Sequence, residues 1–103
     1  MLYTGHSIRN AERTSDEHAG VGESWKKYWQ IFTLQDFPDI CPLCGEPLNE
    51  DDVDGCHIEI SGLMQGNWLT KKYIIPGHHR CNMQLGQEWN TKIAINAVEA
   101  IER

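Results

Sequence analysis

Two ligand pairs spaced like metal binders, a β-rich stretch folded about a polar turn between them, and aromatic residues at helical spacing predict a small α+β domain built around a metal ion. The pairs are Cys41-x-x-Cys44 and His78-x-x-Cys81. The β-rich stretch spans residues 55–75, and the aromatics are Trp25, Tyr28, Trp29 and Phe32.

A chain of 103 residues fits one small domain, a size at which a hydrophobic core leaves a thin stability margin and a bound metal is a common staple. Hydrophobic residues at 40% and charged residues at 23% are ordinary for a globular protein and exclude a disordered one. Apolar runs fall short of the roughly 18 residues needed to cross a bilayer, and residues 1–18 lack the apolar centre of a secretion signal. The expectation is therefore a cytoplasmic protein with no membrane association. In that reducing setting four cysteines serve better as metal ligands than as two disulfides. Nine basic against fifteen acidic side chains leave a net charge of −6, which argues against a grip on a long stretch of nucleic acid through its phosphates.

Residues 1–23 are poor in large apolar side chains and read as an arm with little regular structure, ahead of a single domain over 24–103. Ser24 is a suitable N-cap for a short amphipathic helix whose stripe is Trp25, Tyr28, Trp29 and Phe32, and a stripe of that period belongs to a core. Pro38 ends it. Gly45, directly after the second cysteine of the first pair, suits a tight turn with positive φ. The acidic stretch 46–54 lacks the ligand spacing of a calcium loop and reads as solvated. Residues 57–60 and 68–75 form a predicted hairpin about a turn containing Gly62, Gly66 and Asn67. Pro76-Gly77 stops it, a helix opens near residue 79, and Gly86 weakens that helix. Asn90 is placed to cap a C-terminal helix with Ile93, Ala94, Ala97, Val98 and Ile101 on one apolar face.

Structural zinc takes four Cys or His ligands in a tetrahedron, and two ligands separated by two residues reach one ion from one tight turn. Cys41, Cys44, His78 and Cys81 are thus the predicted Zn²⁺ ligands. Cys56 in place of His78 gives an alternative, all-cysteine set. Cys56 and His57 alternate on a strand and point to opposite faces, so they do not share an ion. Otherwise Cys56 reads as a small buried hydrophobe and His79 as a surface residue.

Cys41-Pro42-Leu43-Cys44-Gly45, then Asp54-Gly55-Cys56-His57-Ile58, then Tyr73-Ile74-Ile75-Pro76 and His78-x-x-Cys81-Asn82 resemble a treble-clef zinc fold, and in particular the ββα region of the HNH endonuclease superfamily. The chain is also similar to small bacterial and phage proteins with a Trp-x-x-x-Trp segment ahead of the knuckle, matched by Trp25 and Trp29. The HNH resemblance implies His57 as general base on water, Asp54 and Asn82 as ligands of a catalytic Mg²⁺ or Mn²⁺, and Lys71, Lys72 and Arg80 as phosphate contacts. Cys56 stands where that superfamily usually has Asp, Glu or His, and thiolate suits a hard Mg²⁺ ion poorly.

Two functions follow. One is a non-catalytic zinc module that binds a protein or nucleic acid through its hairpin and arm. The other is a metal-dependent HNH-type DNA endonuclease using His57. A homodimer through the Trp25/Trp29 or Ile93/Ile101 faces is a third, structural option.

Overall fold

The computed structural model describes residues 2–11, 24–61, 68–84 and 86–101. Most of the expected arm, residues 12–23, and the hairpin turn with Gly62, Gly66 and Asn67 lie outside them. In chain order the elements are β1 (Ser7–Asn10), α1 (Trp25–Thr33), a 3-10 turn (Glu50–Asp52), β2 (Val53–Ser61), β3 (Trp68–His78), α2 (His79–Asn82), β4 (Glu88–Asn90) and β5 (Val98–Glu99). Among the described residues the strands form one antiparallel sheet in the order β4-β1-β2-β3-β5.

The β2–β3 hairpin is the spine. Val53 stands opposite His78 and His57 opposite Ile74, so the far end of the hairpin delivers His78 to the place where α2 begins. Ile58, Ile74 and Ile75 are fully buried, and each such side chain contributes about 1.5–3 kcal/mol relative to exposure. The expected hairpin was shorter, at 57–60 and 68–75. The strands continue toward the cysteines because Asp54, Gly55 and Cys56 pair with Gly77, Pro76 and Ile75.

Helix α1 lies against the hairpin. Its first turn is capped by the Ser24 hydroxyl, which accepts from the Lys27 N–H at 3.4 Å. A Cβ added to Gly55 would fall 2.4 Å from the Trp25 carbonyl carbon, so only glycine lets the helix start seat on β2. Tyr28 and Trp29 are buried. The Trp29 indole donates to the Asn96 carbonyl at 2.7 Å and the Tyr28 hydroxyl to the Glu99 carbonyl at 2.7 Å. The predicted stripe is therefore divided: Tyr28 and Trp29 enter the core, Trp25 is partly covered, and Phe32 is 56% exposed.

Two expectations are corrected. Ser7–Asn10, placed in an arm with little regular structure, form β1, a strand with neighbours on both sides and a fully buried Ile8. The predicted C-terminal helix is absent over residues 93–101, where the chain is extended and includes β5. Its backbone groups go elsewhere: Ile95 exchanges two hydrogen bonds with Leu2, Ala100 N–H donates to the Lys72 carbonyl, and β5 pairs with Tyr73 and Ile74. Asn90, the expected cap, is a residue of β4. No helix among the described residues is long and apolar enough to cross a membrane.

Candidate metal centre

Cys41 and Cys44 sit on a tight knuckle that closes on itself. Cys41 N–H donates to the Glu46 carbonyl and Gly45 N–H to the Cys41 carbonyl, each at 2.9 Å. Gly45 takes φ +81, the left-handed conformation expected of it. The knuckle's flanks pair through an Ile40–Pro47 bridge, and Lys92 N–H donates to the Pro42 carbonyl at 2.9 Å. His78 closes β3, and Cys81 lies on α2.

The ligand atoms of Cys41, Cys44, His78 and Cys81 all lie within 4.8 Å of one another. Ligands at about 2.0–2.3 Å from a tetrahedral zinc stand about 3.5–3.8 Å apart, so the cluster fits that ion with small side-chain adjustments. Three of the four residues are buried and Cys44 is half-buried. His78 Nε2 lies 2.8 Å from the Pro47 carbonyl, while Nδ1 is 3.2 Å from Cys44 Sγ. Donation to the carbonyl places the proton on Nε2 and leaves the Nδ1 lone pair facing the sulfurs, the second contact that orients a ligating imidazole. His78 N–H also points at Cys41 Sγ, at 3.4 Å.

The thiols differ electrostatically. Burial alone would raise Cys44, yet the Glu46 backbone N–H and side-chain hydrogen bonds with His78, Cys81 and Cys41 outweigh it and bring the thiol down to about 7. Burial, then the charge of Cys41, pushes Cys81 up to about 12. Deprotonating Cys81 beside the other sulfurs is favoured by a positive centre among them, which a dication supplies. An ion held by all four side chains would have no open position for water or substrate, as in zinc sites of the structural kind.

Cys56 stays outside this cluster, so the all-cysteine alternative is not formed. It is fully buried, and burial raises its thiol well above the usual range, as a core position requires. A Cβ on Gly77 would meet Cys56 Sγ at 3.0 Å and Cys41 Sγ at 3.6 Å. The missing side chain at Gly77 thus leaves room for two sulfurs.

The nuclease-like residues are only partly brought together. His57 is 5% exposed, with the Trp25 ring edge-on at 4.6 Å. A general base must reach the proton it takes, and here Trp25 covers the imidazole. Asp54 and Asn82 do meet, but Asn82 donates to Asp54 Oδ2 at 3.0 Å and His79 Nδ1 contacts the same oxygen at 2.6 Å. That oxygen is engaged by side chains. Lys71 pairs with Glu99 at 3.6 Å, Lys72 lines a cavity with Arg9, Asn10 and Glu59, and Arg80 lies 4.0 Å from Cys44 Sγ. These three cations serve separate surroundings. The homodimer face at Trp29 is buried within the chain.

Sequence reasoning passed over Asn10. It is 1% exposed, and its Nδ2 donates to the carbonyls of Cys81 and Gln84, each at 2.7 Å. Strand β1 thereby holds α2, and with it the fourth ligand, in place. A single polar residue between Arg9 and Ala11 carries no periodic signal to find it by.

Fold and cluster together define a small α+β domain, mostly antiparallel sheet, with a candidate zinc site of three cysteines and one histidine. Neither a family model nor a solved structure matches the chain. It is similar to the DNA gyrase inhibitor YacG from two strains of Methylorubrum extorquens, each 35% identical over 37 residues. Those residues are 36% of this chain and 51% of each relative. The chain thus spans about half the length of the curated relatives it matches.

Proposed function

We propose that this protein is a non-catalytic zinc module that acts by docking on another protein, with DNA gyrase the first partner to test. The observation that carries the reading is the closed, largely buried set of Cys41, Cys44, His78 and Cys81, whose ligand atoms lie within 4.8 Å of one another. Four protein ligands suit an ion that fixes structure. The stretch shared with proteins named as gyrase inhibitors supports a protein partner, as does the net charge of −6, which disfavours contact with phosphates. The order of knuckle, hairpin and ligand-bearing short helix supports a treble-clef arrangement of the metal site.

The test is direct. Purified protein should contain one zinc per chain by elemental analysis and should slow supercoiling by purified gyrase, and chelation of the metal should abolish both folding and inhibition. It should leave plasmid DNA uncut in Mg²⁺ or Mn²⁺. Unimpaired supercoiling at saturating protein would remove gyrase as the partner, and metal-dependent cleavage lost in His57→Ala would restore the nuclease reading.

A further inference from the structure

Beside the knuckle, on the side of α1, runs a groove of about 270 Å³ with an apolar floor of Phe37, Pro38 and Leu48 and a rim of Asp36, Asp39 and Glu50. Phe37 stacks on the buried Trp29 ring, with centroids 6.1 Å apart and planes 22° from parallel, so the floor is anchored to the core. The wall is anchored to the metal centre: Leu48 N–H donates to the Asp39 carbonyl at 2.8 Å, directly outside the Ile40–Pro47 bridge that closes the knuckle. Large apolar side chains adjoin the lining residues along the chain: Ile31 follows Gln30, Leu34 N–H donates to the Gln30 carbonyl at 2.8 Å, and Ile40 follows Asp39. Ile31 is 45% exposed, Leu34 89% and Ile40 40%. Burial of such side chains is favourable, and a solvent-facing group of them marks a contact surface.

We infer that this groove is the docking site, and that its occupant is a basic, amphipathic segment of the partner protein, in which Lys or Arg alternates with large apolar residues. The inference rests on the protein-docking reading above and adds the surface and the partner's chemistry. Charge selects the occupant. Among the described residues, Asp36, Asp39 and Glu50 take part in no ion pair, so the rim presents uncompensated negative charge around an apolar floor. A nucleic acid or an anionic membrane brings more negative charge to that rim and is repelled. A second copy docking through the same face sets one acidic rim against another. A basic segment instead places its apolar residues on Phe37, Pro38 and Leu48 and its cations against the three carboxylates, as hot-spot and rim do in protein interfaces.

The test uses the full zinc-loaded chain and a fluorescein-labelled short peptide of alternating Lys and Leu, with a Lys/Ser peptide as control. Wild type should bind the Lys/Leu peptide and discriminate against Lys/Ser. Asp36→Asn/Asp39→Asn/Glu50→Gln should lose about tenfold or more in affinity, the sum of three modest rim pairs, with zinc content and melting unchanged. Glu59→Gln/Glu88→Gln/Glu99→Gln removes the same charge from strands β2, β4 and β5, outside the groove lining, and should stay within about twofold, since separated surface charges are screened by salt. Leu34→Gly should weaken binding severalfold without lowering the melting temperature, because Leu34 already occupies a left-handed conformation at φ 57 that glycine adopts freely. Equal loss in the two charge variants, or no binding by wild type, overturns the groove. Purified DNA gyrase run in parallel separates the two readings. If it is held equally by wild type and by Asp36→Asn/Asp39→Asn/Glu50→Gln, the groove is overturned while protein docking stands. Gyrase held by neither, with specific peptide binding intact, upholds the groove and changes only the partner.

Discussion

His78 and His79 are consecutive residues with opposite fates. His78 is 2% exposed, faces three cysteines, and has its outer nitrogen on the Pro47 carbonyl. His79 has a side chain 60% exposed and contacts Asp54, which Asn82 also contacts. Both groups carry residues able to ligate a metal. Only the first converges several soft donors on one point in a buried setting, where an ion replaces proton and solvent at once. The second spends its donors on each other, within reach of water.

The contrast is sharpest under mutation of the first group. Cys81→Ser or His78→Ala should cost more than about 4 kcal/mol, as loss of a structural metal does, read as a collapse of the cooperative melting transition together with loss of zinc. A variant that kept both its melt and its metal would break the distinction. Asn10→Ala comes next. It strips two 2.7 Å hydrogen bonds from the carbonyls of Cys81 and Gln84, and should cost about 1–3 kcal/mol and raise the zinc dissociation rate in a chelator competition. His79→Ala should do least, with zinc content unchanged and a barely moved melting curve. Hydrogen bonding and then attraction to Asp54 raise the His79 value above 6.5. Its small contribution is therefore complete below that pH and fades as pH rises through the raised value. Melting curves of wild type and His79→Ala should converge at alkaline pH.

The candidate metal centre was legible because its signal is local. Two spaced pairs and a glycine after the knuckle carry the geometry in a few residues each, and Cys41, Cys44, His78 and Cys81 converge as spacing required. Helix α1 was legible from Ser24, Tyr28 and Trp29 for the same reason. What escaped depends on distant partners. Ser7–Asn10 carry one large apolar side chain, Ile8, and become a strand because Ile60 and Trp89 flank it. Residues 93–101 have a spacing that fits a helix, but Leu2, Lys72 and β3 take their backbone hydrogen bonds, and tertiary pairing overrides local preference. The role assigned to His57 by resemblance met Trp25, which folds over it, a contact no short motif encodes.

The position of β1 bears on how the chain is made. Ile8 has Ile60 on one side and Trp89 on the other, so during synthesis this strand must wait until both of those later residues have left the ribosome. Such long-delayed pairing slows folding and keeps Ile8 open to chaperones in the interval. Removing Ser7–Asn10 would open a gap between β4 and β2 and leave β4 without its partner strand.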